Sequence, residues 1–351
     1  MKMKLLFSVL IYSVNIWFAV SQSEKHFKIH TIAFYNLENL FDYEDDPYTF
    51  DDDRTPEGKD HWTEELYNAK IANMAKVISE IGSDITGTTP TIIGVCEIEN
   101  RRVLEDLLNQ KPLLLSNYGI VHFDSPDRRG IDVALLYKKR VFTPSNYKAF
   151  ELLIFDNEDL TKRIYTRDQL LVSGMLEDEI IHLIINHWPS RRGGEERSRP
   201  KRLKAAELNR KIIDSLFSDN PYAKIITMGD LNDDPIYPSI KKVLNAKEAK
   251  PDLQIKQLYN PMEKLYKKGE GTLAYRDGWN LFDQIILSTE FLKNDYSSYR
   301  FYKAGIFNKR YLTTQKGKYK GYPFRSFANG YTGGYSDHFP VFVYLIKEKH
   351  L

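Results

Sequence analysis

The tetrad Tyr335-Ser336-Asp337-His338 runs into the apolar stretch Phe339-Pro340-Val341-Phe342-Val343-Tyr344-Leu345, behind a loop punctuated by Gly330, Gly333 and Gly334. An Asp can hold a hard cation, and a neighbouring neutral His can accept or orient a proton on a reacting water. Five further runs stand upstream: Phe34-Tyr35-Asn36-Leu37-Glu38-Asn39, Ile92-Ile93-Gly94-Val95-Cys96-Glu97, Ile184-Ile185-Asn186-His187-Trp188-Pro189, Ile226-Thr227-Met228-Gly229-Asp230-Leu231-Asn232 and Leu281-Phe282-Asp283-Gln284-Ile285-Ile286. Each is an apolar, β-prone run that ends in or abuts an Asn, Glu, His or Asp. Such a set suits hydrolysis of a phosphate ester, which needs charge neutralised on the phosphoryl oxygens and water placed in line with the leaving group. Mg²⁺ serves that chemistry, held by one or two carboxylates while keeping several waters. Taken singly the motifs are weak: an isolated Gly-Asp-x-Asn is most simply an Asx-type turn after a strand. The chain carries no Cys/His zinc spacing, Walker loop or Gly-x-Ser-x-Gly elbow.

The ordered series resembles the endonuclease/exonuclease/phosphatase superfamily, from Ile29 to about Ile346, with Gly-Asp-x-Asn and Ser-Asp-His as its specific parts. The resemblance implies Glu97 and Asp337 as ligands of Mg²⁺ (or Mn²⁺), with Asn36 and Asp230 beside them; Glu99 competes with Glu97 from the following loop. It implies Asp230 as the residue that activates or aligns the attacking water, and Asn232 as a donor to the phosphate. His338 contacts the phosphate or the water, with Asp283 fixing its tautomer. Asp283 begins the buried-looking run Gln284-Ile285-Ile286-Leu287, where an unpaired carboxylate is costly. His187 is a second imidazole on the phosphate, as in the deoxyribonuclease branch, with Asp132 expected to orient it. Arg167 corresponds to a phosphate-contacting arginine of that branch, against the plain reading of a solvated surface arginine. The abasic-site enzymes place an Asn where His187 stands, and the pancreatic-type enzymes carry disulfides, which a chain with Cys96 alone cannot form. The Ser-Asp-His-Phe-Pro ending also resembles that of sphingomyelinases.

Eight apolar runs, Thr31–Tyr35, Thr91–Cys96, Ile131–Tyr137, Leu170–Met175, Ile180–Asn186, Lys224–Met228, Leu281–Leu287 and Phe339–Ile346, read as strands buried on both faces. Amphipathic helices are expected over Thr63–Ile81, with Thr63 as N-cap, Val103–Gln110 and Arg197–Phe217. Strands paired with helices, then repeated, predict a four-layer α/β sandwich: two face-to-face mixed β-sheets flanked by helices, the architecture the resemblance also implies. Asn36, Glu97, His187, Asp230 and Asn232 follow their strands, whereas Asp337 and His338 precede theirs. An antiparallel last strand therefore brings them all to one rim.

Lys2 and Lys4, the apolar stretch Leu5 to Val20 and the small residues Ala19 and Ser21 predict a signal peptide over 1–21, with export after cleavage near Ser21. A membrane anchor needs roughly 20 apolar residues, and this stretch is shorter and holds Ser8, Ser13 and Asn15. Residues 22–351 read as a single catalytic domain, a monomer without a stable membrane anchor. Cys96 is expected to pack as a small hydrophobe. Without the two leader lysines the chain has 48 basic and 48 acidic side chains, so affinity for a polyanion must come from local patches. Glu38–Glu65 holds twelve acids, among them Asp42 and Glu44, and two bases. Two segments are basic. His187–Lys211 includes Arg191, Arg192, Arg197, Arg199, Lys201 and Arg202, expected to border the cleft. Tyr296–Tyr331 interleaves eight basic side chains with eleven aromatics and no acid. Cations for phosphates and rings for bases suit a nucleic-acid substrate; the bland alternative is core aromatics and solvated lysines. A lipid headgroup or inositol phosphate is the alternative substrate, and a catalytically silent binding module the alternative function. Asp233 and Asp234 look like solvated turn residues.

Overall fold

The computed structural model describes residues 26–156, 159–249 and 253–349, so the expected leader over 1–21 lies outside the described residues. Thirteen strands build two large sheets: β1 (Phe27–Leu40), β2 (Ile92–Ile98), β3 (Tyr118–His122), β4 (Asp132–Lys138), β5 (Phe142–Phe150), β6 (Gln169–Leu176), β7 (Glu179–His187), β8 (Ile225–Asp230), β9 (Ala246–Lys247), β10 (Leu258–Tyr259), β11 (Asp283–Ser288), β12 (Arg300–Ile306) and β13 (Val341–Glu348). The first sheet runs β12-β13-β1-β2-β4-β3 and the second β9-β10-β11-β8-β7-β6-β5. Three helices cover them: α1 (Glu64–Glu80), α2 (Arg101–Leu108) and α3 (Glu195–Asp219).

The apolar runs are continuous because each central strand is buried on both faces. In β1, Ile32 and Phe34 join the layer between the sheets, with Leu183, Ile185, Met228 and Ile285 from the second sheet. Ala33 and Tyr35 turn outward to Ile71, Met74, Val77 and Ile78 of α1. On the far side Ile184, Ile225 and Ile286 meet Ala205, Ile212, Ile213 and Phe217 of α3. The result is the expected four-layer sandwich. Cys96 is fully buried in the middle layer, as expected. Gly94 lets the sheets approach, since a Cβ there would lie 3.1 Å from Phe34 and 3.3 Å from Ile185.

Thr63 caps α1 by accepting a hydrogen bond from Leu66 N, as its residue type predicts. The strands β3, β5, β9, β10 and β12 lie outside the predicted set, β9 and β10 being only two residues each. β3 and β5 close one end of each sheet and β12 the other end of the first. Edge strands keep one side open and alternate polar with apolar residues, so their signal is weak; β5 exposes four consecutive residues.

Each sheet is organised around one parallel pair that points the same way. β1 and β2 run parallel with Asn36 beside Cys96, and β7 and β8 run parallel with His187 beside Asp230. β11 starts antiparallel to β8 with Asp283 paired to Asp230, and β13 starts antiparallel to β1. Strand ends of the two parallel pairs and strand starts of their antiparallel partners thus share one rim. Among the described residues, no helix is long and apolar enough to cross a membrane.

Candidate active site

At that rim the backbone leaves ordinary strand geometry. Glu38, Asn39, Glu97 and Asn232 all have left-handed φ angles, of 48°, 52°, 58° and 50°. Non-glycine residues take that conformation at a cost, and it concentrates where the surrounding structure fixes a site. The register of β2 shifts on either side of Glu97, a bulge that re-aims its carboxylate. Gly229 permits the same crowding in β8, because a Cβ there would sit 2.2 Å from the Asn186 carbonyl oxygen.

Asp230 lies at the centre and is 2 % exposed. Its Oδ2 is 3.7 Å from His187 Nε2 and 3.8 Å from His338 Nε2, and accepts a 3.1 Å hydrogen bond from Asn36 Nδ2. Its Oδ1 accepts from Asn232 N. Burial pushes its carboxyl up to about 6, against the pull of His338 and with a push from Asp283. Glu97 Oε1 lies 3.7 Å from His187 Nε2 and 3.4 Å from Asn36 Nδ2, and Glu97 Oε2 accepts from Asn39 N. Ser336 Oγ donates to the Asn36 carbonyl and accepts from His338 N, pinning the last motif to the first.

The two imidazoles differ. Burial alone would lower the pKa of His338, but Asp283, Asp230 and Asp337 overturn it and hold the ring well above its usual value. Asp283 Oδ2 lies 2.6 Å from His338 Nδ1, as the sequence predicts. His187 is pushed well below its usual value by burial, then by Arg167 and Arg129, and is neutral. Environments that drive two like groups apart are how acid and base roles become assigned.

Several expectations need correction. Asp132 does not orient His187: it accepts from His122 Nε2 at 2.9 Å and Ser125 N at 2.7 Å, and His187 Nδ1 has no hydrogen-bond partner among the described residues. Arg167 is 5 % exposed and faces inward, donating to Asp127 and to the carbonyls of His187 and Trp188. Its chemistry is to fix the turn after β7. Arg191 donates to the Asn232 carbonyl, lies within 3.4 Å of Asp233 and Asp234, and packs over Tyr237 and Phe282. Only Arg192 of the pair is exposed. Asp233 and Asp234 are 1 % and 2 % exposed, because Arg202, Arg191, Ser239 and Leu281 N consume their oxygens. Arg202 is itself fully buried, and Arg199 pairs with Glu195 one helical turn away, so neither is a free cation. Glu99 is occupied by Asp42 N on the neighbouring loop. Asn232 Nδ2 donates to the Trp188 carbonyl, leaving one amide hydrogen for another partner.

Three residues at the rim lie outside the sequence reading: Lys70, Arg325 and Ser326. Lys70 is fully buried in α1, and Arg325 reaches Asp337 Oδ2 at 3.2 Å. A lysine inside the apolar stripe Ile71, Met74 and Ile78 is a legible anomaly, since charge is seldom fully buried without a purpose.

Donor chemistry at the rim fits a hard divalent cation. Glu97, Asp230, Asp283 and Asp337 converge on two imidazoles, and Asp283 Oδ1 is buried without a partner among the described residues. Burial, with Glu97 and Asp230 nearby, also raises the Asp337 carboxyl. Asp230, Asp283 and His338 hold ligand atoms within 4.8 Å of one another, as do His122, Asp124 and Asp132. The 2.6 Å bond between Asp283 and His338 Nδ1 makes the former an acid–base pair first.

No curated protein sequence matches the chain. Among solved structures, a mannosyl-6-phosphatase from Bacteroides thetaiotaomicron superposes with a TM-score of 0.53 at 17% identity, covering 90% of this chain and 99% of that one. D. rerio TDP2 complexed with a single strand DNA product superposes at 0.51 and 13% identity, over 90% and 98% of the two chains. The human Nocturnin catalytic domain gives 0.50 and 14%, over 93% and 98%. These likenesses concern the fold. A sequence model of the endonuclease/exonuclease/phosphatase family matches residues 31–347, nearly the whole described chain and every rim motif, and the protein belongs to that family.

Proposed function

We propose that the protein is an exported, Mg²⁺-dependent phosphodiesterase that hydrolyses nucleic acid. The observation that carries the hydrolytic part is buried Asp230 set between the Nε2 atoms of His187 and His338, with His338 resting on Asp283. Asn36, Glu97 and Asp337 are the residues that would hold Mg²⁺, which supplies charge neutralisation at the phosphoryl oxygens when bound. Asp230 takes or aligns the proton of the attacking water, its raised pKa matching that role near neutral pH. His338 donates to a phosphoryl oxygen while Asp283 stabilises its positive charge. Neutral His187 presents Nε2 to the same cleft. Export rests on the sequence of the leader.

Support for a nucleic-acid substrate comes from the second basic segment. Tyr319 packs on Tyr322 (5.7 Å between centroids), Tyr322 on Trp279 (5.9 Å) and Trp279 on Phe339 (6.0 Å), and Phe339 adjoins His338. Tyr319 and Trp279 are exposed, and Arg276, Lys316, Lys318 and Lys320 lie on the same loops. Rings on which bases stack, with cations for the backbone, form a single-strand platform. A second reading, a sugar phosphomonoesterase, is favoured by the internal pairing of Arg167, Arg191 and Arg202, which leaves a smaller positive field. The B. thetaiotaomicron mannosyl-6-phosphatase shows the fold beside that activity.

Single-stranded DNA, RNA, plasmid, mannose 6-phosphate, inositol phosphates and sphingomyelin, assayed side by side with Mg²⁺ and with chelator, test the proposal. Metal-dependent cleavage of the polynucleotides supports it. Release of phosphate from the monoesters alone, or turnover of the lipid alone, overturns it.

A further inference from the structure

Arg325 offers an open positive group at the rim. Its side chain is 54% exposed, against 6% for Arg167 and 21% for Arg191. It is nonetheless fixed in place. Nε donates to Glu38 Oε1 at 3.3 Å and one terminal nitrogen to Asp337 Oδ2 at 3.2 Å, while the other has no hydrogen bond among the described residues. The partner that anchors it is rigid. Glu38 is 2 % exposed and accepts from Ser326 N and from Ser326 Oγ at 2.8 Å. Lys70 Nζ, fully buried in α1, donates to the Glu38 carbonyl, to the Asn39 carbonyl at 3.2 Å and to Ser326 Oγ at 2.9 Å. One buried lysine therefore ties together the end of β1, which carries Glu38, and the loop that carries Arg325.

A guanidinium held along one edge and open along the other is preorganised for bidentate recognition of an oxyanion. The anion it would meet lies over Asp337, at the place where the proposed reaction puts the phosphoryl group. We infer that Arg325 is the phosphate-binding arginine of this site, with Glu38, Ser326 and Lys70 as the brace that aims it. The inference rests on the proposed phosphoester hydrolysis and specifies which cation receives the substrate's phosphate.

The test uses the full chain with Mg²⁺ and inorganic phosphate as the probe, read by calorimetry and by the phosphate-dependent rise in Tm, alongside steady-state kinetics. Arg325→Ala should fold normally, because the side chain is half open. Phosphate binding should weaken on the order of 10-fold or more, as expected for loss of a charged bidentate contact. KM should rise by a similar factor, with a smaller change in kcat. Arg325→Lys should recover part of the loss, restoring charge but not the planar fork. Ser326→Ala should weaken phosphate binding by a few-fold, since it loosens the brace and leaves the guanidinium in place. Unchanged phosphate affinity in Arg325→Ala overturns the inference, as does a loss confined to thermal stability. If wild type binds phosphate through Arg325 yet cleaves no polynucleotide, the substrate proposal falls and this one stands. If it cleaves polynucleotide with Arg325→Ala unimpaired, the reverse holds.

Discussion

At the end of the sandwich where β7 and β8 begin, Lys224 meets Glu179, Ser298 Oγ and the Tyr299 carbonyl, while Lys347 bridges Asp178 and Glu179. Lys28 pairs with Glu177, which also accepts from Tyr299 OH, and His30 lies between Tyr299 and Thr91. Glu177, Asp178 and Glu179 each have their cation. At the opposite rim four carboxylates, Glu97, Asp230, Asp283 and Asp337, share two histidines. Among the described residues Arg325 is the only Lys or Arg within salt-bridge distance of any of them. Both ends cap the same strands, so the sheets do not demand this asymmetry. Uncompensated negative charge is kept where a cation can relieve it, and compensated charge where none is needed. One end holds the molecule together and the other keeps its charges available.

Substitutions should separate those roles. Removing either member of the acid–base pair gives the largest expected effect. His338→Ala and Asp283→Asn should lower kcat by on the order of 10² to 10³ or more, with Tm nearly unchanged in the first. A large Tm loss with a small kinetic effect would make the rim merely structural. Next is Glu97→Gln, which keeps shape and loses charge. Its Mg²⁺ requirement should shift upward by at least tenfold, read as the Mg²⁺ concentration at half-maximal Tm gain as well as activity. Near-normal response at low Mg²⁺ would remove Glu97 from the ligand set.

The far end should show the mirror image. Glu179→Gln leaves Lys224 and Lys347 without their shared partner, and denaturant unfolding should report a loss of about 2–3 kcal/mol, below the full buried-pair value because Lys347 keeps Asp178. Its kcat should stay within twofold of wild type; a drop as large as that of His338→Ala would erase the contrast.

A smaller effect concerns pH. Burial lowers the His30 pKa from 6.5 to about 4, although Glu177 opposes the shift. The unfolded chain therefore takes up this proton first. Stability should fall as pH drops from about 6.5 toward about 4 and gain nothing from this group above that window. His30→Gln should flatten that part of the profile without altering kcat; an unchanged profile would mean that other groups set it. The smallest effect expected is for Arg192→Ala, which should lower the salt slope of polynucleotide binding by at most about one unit.

Much of the rim was legible because strand ends are short, local signals. Apolar runs closing on Asn36, Glu97, His187 and Asp230 name their own positions, and Asp283 announced a partner by starting a buried run. The basic segments misled for an equally physical reason. Sequence gives charge but not its partner: Arg191 and Arg202 meet Asp233 and Asp234 only after α3 folds back on β8. The resemblance points Asp132 toward His187, but the antiparallel pairing of β3 with β4 supplies His122 first.

Residue order by itself determined the layers, the mixed character of the sheets and the polar side chains at the strand ends, because periodicity and burial act over a few residues at a time. Tertiary structure alone decided which charges are spent and which are free. Lys70 lies 256 residues from Ser326, and Arg325 lies 287 from Glu38. Electrostatic pairing depends on distance and burial in space, which no local pattern encodes, so the site's cations became identifiable only once the chain had closed around them.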